Sequence, residues 1–323
     1  MTCPRCGCEW ETNTRVCPAC GRRRGLRPAA WIAIAAAALL LLTMVVGGVW
    51  WWLGHRSAAE PEPDFPTDPV AVSTTTQSNT VRVTVPEGYT VERIAVLLEE
   101  REVCTAAAFR DAVQSGDFSD FPFVSAIPMT DKDGAPNGRV YRLEGYLFPD
   151  TYEFYRNGSA EAAVRRFLQN FQRKLADWQE ALDQSGMTLD EAVTFASIVQ
   201  GEVGHAADMK RVARVLQNRL DSPDYPRLQC DVTTKYLREL AAAGVDASRE
   251  AYDTYVCRGL PVGAINNPGL AALQAAVSPS DEDICAGCYF FVIDSANDTV
   301  YYSRTYAEHL AFCREHKLGG YAE

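Results

Sequence analysis

The apolar positions of this chain recur with two different periods, separated by stretches that have none. The longest apolar run, AAWIAIAAAALLLLTMVVGGVWWWL at 29–53, carries no charge. As a helix rising ~1.5 Å per residue it spans ~37 Å, which predicts one membrane crossing. Val81, Val83 and Val85 alternate, predicting a strand that ends at Pro86, Glu87 and Gly88. Thr90 then caps a helix with Val91, Ile94, Leu97 and Leu98 on one face, and a second helix after Thr105 buries Phe109 and Val113. The aromatics of RLEGYLFPDTYEF alternate around Pro149 and Asp150, as in a strand interrupted by an exposed loop. Ala163, Phe167, Phe171, Leu175 and Trp178 mark one long amphipathic helix over 159–184. Thr188 and Glu191 form a capping box that starts another at about residue 189, and Val212, Ala213, Leu216 and Leu220 mark the buried side of the next. YFFVIDSANDTVYYS reads as a hairpin. Strands at both ends with helices between them predict an α+β class for residues 81–323.

Charge changes the picture at the amino terminus. The 323 residues carry a net charge of −11, yet residues 1–28 hold six Arg against Glu9 and Glu11. Arg22, Arg23, Arg24 and Arg27 flank the apolar run on one side and Trp50, Trp51 and Trp52 end it on the other. The positive-inside rule then puts residues 1–28 in the cytosol and everything after about residue 54 outside. A cleavable signal peptide has a shorter apolar core and small residues at its end, unlike this one. Within 1–28, CPRC and CPAC place Cys3, Cys6, Cys17 and Cys20 as two CxxC knuckles, the spacing of a tetrahedral zinc ribbon. A segment that short has almost no core and needs a metal to fold. Residues 54–80, rich in Pro, Ser, Thr and acids, read as a flexible linker. Six further cysteines, Cys104, Cys230, Cys257, Cys285, Cys288 and Cys313, leave disulfides, free thiols or a metal site open.

The candidate chemistry centres on ASIVQGEVGH, 196–205. On a helix begun at 189, Phe195, Val199 and Glu202 share one stripe, so Glu202 stands on the apolar face. A carboxyl there either pairs with a cation, Arg219 and Arg227 being the near choices, or keeps its proton and becomes a general acid. Downstream, NRLDSPDYPRLQCDVTTKY and YDTYVCRGLPVGAINNPG string amides, hydroxyls and aromatics through loops, a composition suited to a sugar polymer and equally to turn chemistry.

Taken together, EGYLFPDTYEF, ASIVQGEVG, NRL, LQCDVT, YDTYVCRGLPVGAINNPG and YFFVIDSANDTVYYSRTYAEHL resemble, in order, the motifs of the endolytic murein transglycosylase family, also called YceG-like or MltG. The opening strand and two helices are similar to a LysM-like module. The resemblance implies a LysM-like subdomain at 81–143 and a mixed α/β catalytic domain at 144–323. It also implies Glu202 as the catalytic residue, with Tyr152, Gln229, Asp231, Thr233, Tyr255 and Asn267 lining the cleft. It further implies a membrane-anchored lytic transglycosylase that cuts nascent peptidoglycan strands to leave 1,6-anhydro ends, without a cofactor for catalysis. The implied partners are glycan strands, the membrane and cell-wall synthesis proteins; the ribbon, which is not general in the family, would meet an unidentified cytosolic partner. No nucleic acid is expected, since the membrane topology already accounts for the arginines. The chain departs from the family pattern at Gln200, where many members carry a second Glu, and at Cys230, Val232 and Val262. Two rival readings stay open: a glycan-binding scaffold without catalysis, and a hydrolase in which Asp231 activates water.

Overall fold

The computed structural model describes residues 79–318 apart from positions 295 and 298. The chain divides into units 1–74 and 75–323, and the described residues belong to the second. The expected zinc ribbon with Cys3, Cys6, Cys17 and Cys20, the apolar span 29–53 and nearly all of the linker lie outside the described residues. Among the described residues no helix is long and apolar enough to cross a membrane, and no cluster of three or more metal-ligating side chains occurs.

Alternation at the start gives strand β1 (Thr80–Thr84), whose Val83 is buried, with Val85 just beyond it. Helix α1 (Val91–Glu100) begins where the Thr90 hydroxyl accepts from the Arg93 N–H, and α2 (Ala106–Ser115) where Thr105 accepts from the Ala108 N–H. Each cap satisfies an amide that a helix start otherwise leaves unpaired, which is why both boundaries were legible locally. After a short α3 (Pro122–Ser125) the chain reaches β2 (Thr151–Tyr155), which pairs antiparallel with β1, setting Val83 opposite Tyr152 and Val81 opposite Phe154. The strand that closes the amino-terminal module thus comes from beyond residue 143. The segment before it, Tyr146 to Phe148, is buried.

The amphipathic helix expected over 159–184 is two helices, α4 (Ala160–Leu175) and α5 (Gln179–Ser185), with a turn at 176–178 that carries the buried Trp178. Neither proline nor glycine marks that break; tertiary burial of Trp178 decides it. Phe167 and Phe171 of α4 pack on Tyr152, Phe154, Phe109 and Tyr146 in one aromatic cluster.

Helix α6 (Leu189–Glu202) has the full capping box: the Thr188 hydroxyl accepts from the Glu191 N–H at 3.2 Å and the Glu191 carboxylate accepts from the Thr188 N–H at 2.8 Å. Every residue from Ala192 to Val199 is buried, so α6 is a central helix and not one with a single apolar stripe. Helix α7 (Ala206–Leu220), α8 (Asp231–Ala242), the single turn α9 (Arg249–Tyr252) and the alanine-rich α10 (Leu270–Val277) follow, and α7, α8 and α10 all pack on α6. The hairpin β3 (Phe290–Asp294) and β4 (Thr299–Ser303) is in register from Phe290 opposite Ser303 to Asp294 opposite Thr299. Helix α11 (Tyr306–His316) closes the described chain, begun by the Thr305–Glu308 capping box. The fold is mixed α and β, with one continuous apolar core running from β1 to α10.

Candidate active site

Glu202 is the last residue of α6, so the central helix delivers it from the core to the floor of a surface cleft of about 670 Å³. No cap glycine ends the helix; Val203 turns extended and its N–H still bonds the Val199 carbonyl. Gly201, one residue before Glu202, leaves room on the side of α6 that faces α8. A Cβ added there would stand 3.0 Å from Val232, so the start of α8 rests against the bare backbone of α6. That approach puts Asp231 beside Glu202. Gly201→Ala is expected to push Val232 back by a few tenths of an ångström and lower turnover several-fold while leaving the fold intact, as steady-state kinetics and circular dichroism would show. Unchanged turnover would mean the approach is not needed.

The two carboxylates meet opposite ends of helices. Glu202 is half-buried at a helix carboxyl end, where the macrodipole disfavours negative charge, whereas Asp231 opens α8, where it is favoured. Burial pushes the Glu202 acid up to about 7; the Cys230 thiol, donating to it, pulls the other way, and the Asp231 charge adds to the rise. Among the described residues no ion pair joins Glu202 to Arg219 or Arg227; Arg227 donates to the Val256 carbonyl. Arg219 instead donates to the Tyr289 and Leu228 carbonyls, each at 2.6 Å, and lies over the Phe290 and Tyr225 rings.

The loop before α8 is held from beneath. Gln229 has φ 54°, a left-handed conformation that costs a residue with a Cβ, and its N–H donates to the Thr254 carbonyl. The Cys230 N–H donates to the Thr254 hydroxyl at 2.9 Å, and the Thr233 hydroxyl donates to the Cys230 carbonyl at 2.7 Å. Tyr255 donates its hydroxyl to Asp231 at 2.8 Å. Gln229, Asp231 and Tyr255 therefore share the cleft with Glu202, as the resemblance implied.

Three other residues expected in the cleft stand elsewhere. Thr233 is fully buried and holds the loop from below, so it positions Asp231 and does not face the opening. Asn267 is fully buried, its amide oxygen accepting from the Gly145 and Leu147 N–H groups and its amide nitrogen donating to the Tyr89 carbonyl and Glu144. Tyr152 is buried on β2, donating to the Phe148 carbonyl and accepting from Asn170. The polar atoms of Thr233 and Asn267 are used inside the fold, and Tyr152 lines a separate pocket with Arg166 and Arg173. Gln200, at the place of the family's second Glu, accepts from the Gly269 N–H at the start of α10 and does not line the cleft.

The cleft also has an aromatic wall. Tyr225 stacks on Tyr289 at 4.7 Å, and Phe290 stacks on His309 at 5.6 Å with Tyr306 beside them. Tyr289, Phe290, Tyr306 and His309 all lie in the motif YFFVIDSANDTVYYSRTYAEHL and Tyr225 in the loop before α8, and only the fold brings the two stretches together. A larger groove of about 810 Å³ between α1 and α8 is less suited to acid chemistry, because its Glu92 and Glu239 are paired to Arg110 and Arg93.

The observed fold and cleft define an α+β domain in which a half-buried carboxyl, Glu202, shares a cleft with an aromatic wall. The YceG-like family model matches residues 67–315, and the chain belongs to that family. It is 28% identical over 254 residues to an endolytic murein transglycosylase of Streptococcus pneumoniae, an alignment that covers 72% of this chain and 44% of the relative. It is 29% identical over 177 residues to the protein of the same name from Bacillus subtilis, covering 52% and 46%. The chain thus spans less than half the length of these relatives. A solved yceG-like protein of Listeria monocytogenes, 27% identical, superposes with a TM-score of 0.59 over 72% of this chain and 75% of that one.

Proposed function

We propose that this protein is an endolytic murein transglycosylase with Glu202 as its acid and base. The observation that carries this reading is a half-buried carboxyl, its acid pushed up to about 7 by desolvation, in a cleft with a stacked aromatic wall. Glu202 donates its proton to the oxygen that bridges N-acetylmuramic acid to N-acetylglucosamine, and the C1–O bond breaks toward an oxocarbenium-like state. The resulting carboxylate takes the proton of the muramic C6 hydroxyl as that oxygen bonds C1, closing a 1,6-anhydro ring and regenerating the acid. One carboxyl suffices because the nucleophile belongs to the substrate, whereas glycosidases that use water or a covalent intermediate need two at set separations. The aromatic wall supplies ring faces for sugars, and Tyr255 holds Asp231 to one side.

The relatives' names support glycan strands as the substrate and the cell wall as the place of action. The residues 29–53 are read as the membrane anchor, and Cys3, Cys6, Cys17 and Cys20 as the ligands of a structural zinc, on the length and spacing arguments alone. Cell-wall synthesis proteins outside and a cytosolic partner of the ribbon complete the proposal.

The test is mass spectrometry of purified glycan strands after incubation with the full chain. Anhydro-muramic ends are expected. Reducing ends would replace this reading with hydrolysis through Asp231, and binding without cleavage would replace it with a scaffold.

The acid role also sets a pH dependence. The reactive form is protonated, so turnover is full below about pH 7 and is lost as pH rises through that value. Asp231→Asn removes a charge that raises Glu202, and the basic limb of the profile is expected to move to lower pH. Because burial is the larger cause, the move is the smaller part of the displacement from an ordinary Glu. A limb that stays in place would show that Asp231 does not act on Glu202.

A further inference from the structure

CAGC at 285–288 is used by none of the chemistry above. The Cys288 N–H bonds the Cys285 carbonyl at 3.2 Å, and Gly287, with φ 66°, occupies the left-handed position of this turn, so the four residues form a closed β-turn. A β-turn holds its end Cα atoms within ~7 Å, which overlaps the ~4.4–6.8 Å that a disulfide spans. Cys285 and Cys288 pack together with Val215 in a small apolar cluster apart from the main core, edged by Phe291 and Tyr302, their thiols donating to the carbonyls of Glu282 and Ile284 in the segment just before the turn. The other turn residues and the segment 281–284 are exposed.

The turn is tied to the cleft. Asn218 donates its amide to the Cys288 carbonyl at 2.9 Å and more loosely to that of Cys285, while Arg219, next on α7, donates to the carbonyl of Tyr289. Tyr289 is a ring of the aromatic wall.

We propose that Cys285 and Cys288 form a reversible disulfide that locks this turn and, through Asn218 and Arg219, the aromatic wall of the cleft. The inference does not depend on the activity assigned to that cleft. The oxidant is a small-molecule or thioredoxin-fold disulfide. The Cys288 thiolate attacks one of its sulfurs, forming a mixed disulfide and releasing one thiol; the Cys285 thiolate then displaces the second. Two protein thiols and one external disulfide become one protein disulfide and two external thiols, and excess thiol reverses the exchange. Cys288 is the attacking partner because it has slight exposure while Cys285 has none; burial pushes its thiol up, and the Arg304 charge offsets part of that rise. Access requires opening of the exposed turn, which the small size of its cluster permits.

The geometry is tested on the full chain brought to equilibrium with mixtures of reduced and oxidised glutathione, alkylated and digested with trypsin. Residues 259–304 then form one peptide whose cysteines are Cys285 and Cys288, and Cys313 falls in the next. With rising oxidised glutathione, both thiols are expected to become protected together in a peptide two hydrogens lighter. Dithiothreitol restores them. Amide exchange of Tyr289, whose N–H bonds the Ser303 carbonyl, is expected to slow at least several-fold in the oxidised protein. In Cys285→Ser the resolving thiol is gone, and Cys288 is expected to stop as a mixed disulfide with glutathione. The proposal is overturned if both thiols stay alkylatable at every ratio, if Cys288 pairs with Cys313, or if wild-type Cys288 accumulates as the mixed disulfide. The wild-type peptide map decides these outcomes even if the Ser variant does not fold.

Discussion

Glu202→Gln is expected to lower turnover on glycan strands at least ~10³-fold, because general acid catalysis contributes ~10²–10⁴ and the same group serves twice. The substitution keeps the size of the side chain and its acceptor for the Cys230 thiol. It also resembles the protonated form that burial already favours, so the melting temperature should stay put. Loss of turnover with unchanged stability and unchanged glycan binding identifies a group that acts on the reacting atoms. A variant that keeps a tenth or more of the activity would rule Glu202 out as the acid. Asp231 would then be the carboxyl to examine, since it is the other one lining the same cleft. The pH profile supplies an independent check: any residual rate in Glu202→Gln should have lost the basic limb near pH 7.

Asn267→Ala is expected to have the largest effect on stability. Its side chain closes four hydrogen bonds of 2.8–2.9 Å: from the N–H groups of Gly145 and Leu147, and to the Tyr89 carbonyl and Glu144. Truncation leaves the two buried amides of Gly145 and Leu147 unpaired, at ~1–3 kcal/mol for each unsatisfied group, while the Tyr89 carbonyl keeps the backbone N–H of residue 267. Neighbouring losses do not add fully, so a total of about 3 kcal/mol is expected. For a domain of this size that lowers Tm by ~6–12 °C. Glu144 suffers as well. Its carboxylate also accepts from the Val91 N–H at the start of α1 and from the Tyr236 hydroxyl, and burial pushes its acid up to about 8. Losing one donor makes its charge harder to keep. Asn267→Asp should be worse than Ala above about pH 8, where Glu144 has lost its proton and the new carboxylate sets a second negative charge beside it. At low temperature, where the Ala variant remains folded, activity per folded molecule should be near wild type. A selective fall in glycan affinity with no loss of stability would instead return Asn267 to the cleft, where the motif resemblance had put it.

These two residues show what kind of signal a sequence carries. Glu202 was legible because it broke a pattern: a carboxyl among apolar residues, on a helix whose phase is set locally by Thr188 and Glu191. Asn267 was put in the cleft by the motif resemblance alone, and nothing along the chain says that Gly145, Tyr89 and Glu144, distant in sequence, converge on it. Thr233 misled in the same way. Both are polar side chains in loop-like stretches, and whether such a group meets solvent or a buried amide depends on what packs over it.

The sequence by itself determined the local events. The caps at Thr90, Thr105, Thr188 and Thr305 each join residues three apart, so neighbouring atoms suffice to set them. The alternation of β1 and the hairpin of β3 and β4 follow from the same short-range chemistry. Tertiary structure alone decided that α6 is buried on every side, that the chain breaks at 176–178, and that β1 finds its partner at 151–155. It also decided that rings from Tyr225, Tyr289 and Tyr306 form one wall. The physical reason is common to all four. Burial and desolvation are properties of the space between elements, and a residue acquires them only when segments far apart along the chain have met.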